Sequence, residues 1–204
     1  MKIFRVLATL ALFGMAGAAQ AGPIHDAAAA NDVAAIVSLI ASGVPVDELN
    51  AAGETALIVA AKVAADDAVN VLVHNLADVN FTDPSGRRAL HWLVLNEGSP
   101  QVVSSIRFLY EALADMNAHD ADGATALILA ADRGDGLLVS LLMSGVGTEV
   151  EATDKAGRTA LTRAGLNGHK TVVTMLLRLR AVCQPDIAEW TAACEARKAE
   201  LGIA

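Results

Sequence analysis

Five histidines, two cysteines and a scatter of aspartates are the residues of this chain that could do chemistry. His25, His74, His91, His119 and His169 are the groups that would bind zinc or relay protons. None stands in a His-Glu-x-x-His pattern and no Cys-x-x-Cys accompanies them, so neither a metal site nor a dithiol redox centre is predicted. Asp120-Ala121-Asp122-Gly123 opens like a calcium loop but lacks the closing Glu at the right distance, and it reads as a turn. There is no Gly-x-Ser-x-Gly, no P-loop and no Gly-x-Gly-x-x-Gly after a strand. With no nucleophile, base and orienting group converging, no catalytic residue, cofactor or metal is assigned. Binding is left as the function class, and what matters is which elements hold the binding residues.

The N-terminus bears on where that binding would take place. Lys2 and Arg5 precede an apolar run from Val6 to Ala16, and Ala19-Gln20-Ala21 puts small residues at both positions that a signal peptidase reads. A secretory signal peptide over residues 1–21, cleaved after Ala21, is predicted, with the mature chain periplasmic or secreted. The run is shorter than the ~20 residues a membrane span needs, and no later stretch is long and apolar enough, so no membrane insertion is expected. Loss of Lys2 and Arg5 takes the net charge from −8 to −10. So acidic a chain is a poor nucleic-acid binder, because affinity there comes from neutralising phosphates. Export also places Cys183 and Cys194 in an oxidising compartment, where an internal disulfide is expected; two free thiols or an intermolecular bridge are the alternatives.

Hydrophobic residues make up 54% of the chain but aromatics only 3%, which favours helices packed through small side chains over a β-sandwich. One phrase recurs: Gly53-Glu54-Thr55-Ala56-Leu57, Gly86-Arg87-Arg88-Ala89-Leu90, Gly123-Ala124-Thr125-Ala126-Leu127 and Gly157-Arg158-Thr159-Ala160-Leu161. The glycines are 33, 37 and 34 residues apart, and Asn50, Asp83, Asp120 and Asp154 stand three positions before them. Asx-x-x-Gly is a turn signal, and Thr after it can cap a helix that begins at Ala. A second apolar run follows each time, as in Val69, Leu72 and Val73 or Val172, Val173, Leu176 and Leu177, with the i, i+3, i+4 spacing of one buried helix face. Ile24-His25-Asp26-Ala27-Ala28 is a partial first copy.

Turn, short helix, turn and longer helix at this period, with Gly-x-Thr-Ala-Leu where the family has Gly-x-Thr-Pro-Leu-His, resembles the ankyrin repeat. Gly168-His169-Lys170, Ala77-Asp78-Val79-Asn80 and Ala114-Asp115-Met116-Asn117 extend the likeness. The resemblance implies an all-α solenoid of about five helix-pair repeats with short β-hairpin turns, in repeats of about 22–49, 50–82, 83–119, 120–153 and 154–182. It also implies that His25, His91 and His169 bond backbone. The chain departs from the family where Pro becomes Ala, and where Arg88 replaces Thr and removes a hydroxyl cap. The same repeat holds the four extra residues, placed around Asn96–Gln101.

A solenoid must shield its ends. Asp186 and Glu189 read as a capping box for a final helix over about 187–200, within a capping segment 183–204, whose Ile187 and Trp190 would cover the last repeat. The family uses hairpin tips and first helices as a concave contact surface. Carried over by position, the contacts are Lys62 and Val63, then Arg87, Leu95 and Asn96, then Asp132 and Arg133, then Arg158, Leu166 and Asn167, with Trp92 on the same central helix. A Trp92–Leu95–Arg87 patch is the sharpest candidate, because Trp and Arg are favoured at interface hot spots; packing of Trp92 between repeats is the competing role. The function implied is a protein-binding scaffold whose partner is another protein. A protective accessory for an exported enzyme, or an effector that binds a foreign protein, are the rival readings.

Overall fold

The computed structural model describes residues 22–96, 101–145, 147–178, 195–196 and 198–202. Ten helices are laid out as pairs: α1 (Pro23–Ala29) and α2 (Val33–Ala41), α3 (Ala56–Lys62) and α4 (Asp66–His74), α5 (Ala89–Leu95) and α6 (Gln101–Glu111), α7 (Ala126–Arg133) and α8 (Gly136–Ser144), and α9 (Ala160–Leu166) and α10 (Lys170–Arg178). The architecture is an all-helical solenoid, with no strand among the described residues. Residues 195–196 and 198–201 are helical. Residues 1–21, expected to be a signal peptide, and Cys183, Cys194, Ile187 and Trp190 lie outside the described residues.

The recurring phrase forms the same corner each time. Asn50 Oδ1 accepts the N–H groups of Ala52 and Glu54, and Asp83, Asp120 and Asp154 repeat that pattern on their own turns. Backbone closes each corner, as where the Asp83 N–H donates to Arg87 O at 2.9 Å. The hairpin is thus a tight turn tied across its mouth. Thr55, Thr125 and Thr159 then cap α3, α7 and α9 through their hydroxyls. At Arg88 the hydroxyl is gone: the His91 N–H donates to Arg88 O at 3.1 Å instead, and His91 Nδ1 accepts the Arg88 N–H at 3.2 Å.

The first helices of the pairs form an inner layer, with α1 on α3, α3 on α5, α5 on α7 and α7 on α9. They approach closely because Ala56, Ala60, Ala61, Ala130, Ala131 and Ala164 are buried between them. The second helices form an outer layer, with α2 on α4, α4 on α6 and α8 on α10, whereas α6 and α8 do not pack closely. Between the layers runs one apolar core, in which Leu57, Leu72, Leu90, Ile106, Leu127, Leu142 and Leu161 are buried. Three histidines stitch that core to the backbone: His25 Nε2 donates to Glu48 O and Glu54 O, His91 Nε2 to Ala118 O, and His169 Nε2 to Asp132 O.

Candidate protein-binding face

Counting from each turn glycine fixes which side chains share a row on the inner face. Lys62, Leu95, Asp132 and Leu166 stand nine residues on, and Val63, Asn96, Arg133 and Asn167 ten residues on. Both rows fall at the C-terminal ends of the first helices, because the phrase that starts each helix also sets its length. Trp92 and Arg163 share the place six residues on.

The ten-residue row does structural work in three of its four members. Asn96 Nδ2 donates to Ala61 O at 2.6 Å, Arg133 to Leu95 O at 2.8 Å and Asn167 Nδ2 to Asp132 O at 2.8 Å. Each bonds a carbonyl in the last turn of the preceding first helix, where intrahelical donors run out. Val63 fills the remaining place and is 52% exposed, and Leu166, beside Asn167, is 45% exposed. These two apolar side chains carry no tie.

Trp92 sits at the centre of a second network. Its ring packs against the core, and its Nε1 donates to Asp83 Oδ2 at 2.8 Å. Lys62 Nζ lies 4.3 Å from the ring centroid and Arg87 Cζ lies 5.1 Å from it, both cation–π contacts. Lys62 is also paired with Glu54, and Arg87 Nε with Asp120 Oδ2 at 3.2 Å. Lys62, Trp92, Leu95 and Asn96 line a shallow hollow of about 310 Å³. The structure therefore brings Arg87, Trp92, Leu95, Lys62 and Asn96 together, with Arg133 tied to the same helix end.

The other candidates gather toward the last pair. Arg163 spans Asp132 and Asp154, Arg158 Nε reaches Asp154 Oδ2 at 3.0 Å, and Asn167 meets Asp132. Burial pushes the Asp154 carboxyl up, but hydrogen bonds from Arg158, its charge, and the Arg163 bond outweigh that and hold it below the ordinary carboxylate range. Asp83 follows the same logic: burial raises it, and bonds from Ser85, the Arg87 N–H and Trp92 bring it lower. Sequence reasoning did not place Arg163 among the contact positions, and it read Asp83, Asp120 and Asp154 only as turn residues. Their second oxygens are what anchor the cationic side chains. The signal for Arg163 was its register, which it shares with Trp92.

Fixed charges on a rigid inner face, with apolar side chains between them, suit recognition of another surface. Among the described residues no group of three or more His, Cys, Asp or Glu could hold a metal ion, and no helix is long and apolar enough to cross a membrane. A family model for ankyrin repeats in three copies matches residues 24–109 and 103–187. The chain is 32% identical over 158 residues to a palmitoyltransferase, AKR1, of Lachancea kluyveri, covering 76% of this chain and 21% of the relative. It is 36% identical over 127 residues to the neurogenic locus notch homolog protein 1 of Mus musculus, covering 62% of this chain and 5% of the relative. The Xenopus tropicalis protein of that name is 34% identical over 130 residues, with 63% and 5% covered. The chain spans about a fifth or less of the length of these relatives. With the family match covering all of residues 24–187 and the helix pairs stacked in register, the chain belongs to the ankyrin-repeat family, whose repeats form protein–protein interaction domains.

Proposed function

We propose that this chain is a non-catalytic scaffold that holds a partner protein on its inner face, in the periplasm or outside the cell. The observation that carries the reading is the pre-organised row at the ends of the first helices. There, polar members are locked to neighbouring repeats while Val63 and Leu166 project untied. A face already ordered loses little side-chain entropy when it binds. Trp92, flanked by Lys62 and Arg87, gives that face a rigid aromatic centre. Removal of residues 1–21 after Ala21, repeats over 22–182, a covering segment 183–204 and a Cys183–Cys194 bond complete the proposed organisation.

The experiment is a bait assay with the exported chain carrying a photo-crosslinker at Val63 or at Leu166. Wild-type bait should capture one partner at both positions, and Val63→Asp with Leu166→Asp should lose it with the melting temperature unchanged. Capture that survives the double substitution would move the site off this face. Intact mass of the exported protein should place its first residue at Gly22.

A further inference from the structure

Ten residues before each turn glycine stand Gly43, Leu76, Leu113 and Gly147. All four follow the second helix of their pair and take left-handed backbone, with φ of 96, 65, 62 and 88°. Glycine adopts that conformation at no steric cost, whereas a leucine there crowds its own Cβ against the backbone. Leu76 and Leu113 accept the strain and hide nothing by it, since they are 86% and 84% exposed. A bulky apolar residue kept in a costly backbone state and held in water is a mark of function rather than of folding.

The surroundings of the two leucines point to a partner chemistry. Two residues beyond these positions come Asp78, Asp115 and Glu149, all exposed. Their N–H groups are held in line by the preceding repeat: Asp47 accepts from Asp78, Asn80 from Asp115 and Asn117 from Glu149. Asn80 Nδ2 also reaches Leu113 O at 3.4 Å, so the two leucine corners are neighbouring steps of one edge. Glu111 adds a carboxylate beside Leu113, lining the same hollow as Tyr110. Against these acids stand Arg88, which bonds Asn80 and Asp115, and Arg107 on α6.

We propose that the edge carrying Leu76 and Leu113 is a docking surface, separate from the inner face, for a protein segment that presents apolar side chains among lysines or arginines. The leucines supply contact area, and the carboxylates select for positive charge and disfavour acidic segments.

The test uses a synthetic peptide of about 18 residues, five helical turns, with leucines on one face and lysines on the other. Its counterpart carries glutamates for the lysines. By calorimetry the full chain should bind the lysine peptide at least about tenfold more tightly than the glutamate peptide, and salt should weaken that binding. Leu76→Gly with Leu113→Gly should weaken binding about tenfold while the melting temperature holds or rises, because glycine relieves the left-handed strain. Glu111→Lys should weaken it several-fold. The proposal is overturned if the lysine peptide does not bind, if both peptides bind alike, or if the double glycine variant binds as tightly as the parent. A fall in that variant's melting temperature overturns it too, since the leucines would then be serving the fold.

Discussion

At the scale of single residues, the turn glycines separate two costs that are easily confused. Gly123 and Gly157 share nearly the same φ, 77 and 74°, so a side chain at either would be strained by its own backbone. A β-carbon on Gly123 would also lie 2.8 Å from Lys155 N, where the next hairpin packs, and the Lys155 N–H bonds Asp122 O at 3.0 Å. A β-carbon on Gly157 would meet nothing within 4 Å among the described residues. Gly157→Ala should cost roughly 1–2 kcal/mol, the left-handed penalty alone. Gly123→Ala should cost roughly 2–4 kcal/mol, because the hairpin contact must open as well; equal urea midpoints for the two would refute the close approach. His91 gives a pH dependence. Burial lowers its pKa, against the Ala118 bond and the Asp120 charge, so the folded chain favours the neutral ring. Its stabilisation is therefore full above about pH 6.5, the unfolded value, and fades as pH falls toward the folded one. Urea midpoints should drop between pH 7 and 5, and His91→Gln should flatten that slope. The depressed Asp83 and Asp154 act lower down, giving stability present above about pH 4 and lost as pH falls through their folded values. The turn chemistry of these residues was legible in the sequence because Asx and Gly act within a few positions. The left-handed leucines were not, since nothing local marks Leu76 as standing where Gly43 stands.

At the scale of elements, helix α4 shows what a repeat borrows from its neighbour. Helices α2 and α8 have their own caps, Asp32 and Asp135, whose side chains accept from Ala35 N and Leu138 N. Helix α4 begins after Ala65, which has no side-chain acceptor. Its cap comes from the preceding pair: Asn31 Oδ1 accepts the Ala68 N–H at 2.8 Å, and Asn31 Nδ2 donates to Asp67 at 3.2 Å. Asn31, itself left-handed at φ 55°, sits between α1 and α2, so one residue ends a helix and starts another in the next repeat. Asn31→Ala should cost about 1–2 kcal/mol and fray α4 while α2 keeps its cap. Hydrogen exchange would show this as lost protection at Ala68 and Val69 with Ile36 unchanged, and equal loss in both helices would refute it. Helix positions were readable from periodicity and the phrase Gly-x-Thr-Ala-Leu, because those forces are local. The capping partner was not, because it lies 37 positions away and only stacking brings it near. Asn96, Arg133 and Asn167 were picked out as contact positions for the same reason in reverse: their register was visible, but the carbonyls they tie were not.

At the scale of the whole molecule, each pair buries its apolar face only against its neighbours, so stability is a sum of adjacent contacts and the weakest junction sets where the stack divides. The inner layer is continuous from α1 to α9, but the outer layer is interrupted between α6 and α8. That interruption falls in the repeat with four extra residues, and the family match changes copy at residues 103–109, within α6. An open site lined by Ile106, Tyr110, Met116 and Leu141 marks the gap. With half of its interface thinned, the α6–α8 junction should couple the two ends less strongly than its neighbours do. Leu161→Ala tests this far from the gap. Leu161 is buried on α9, and its truncation should cost about 2–5 kcal/mol. If the junction is the weak one, that loss should stay on its own side: amides of α7 to α10 should lose exchange protection together, and those of α3 and α4 should keep theirs. A uniform loss along the chain would mean that the inner layer alone carries full cooperativity across the gap. Confinement to the C-terminal pairs would instead mean that the irregular repeat lets two halves of one binding face yield independently.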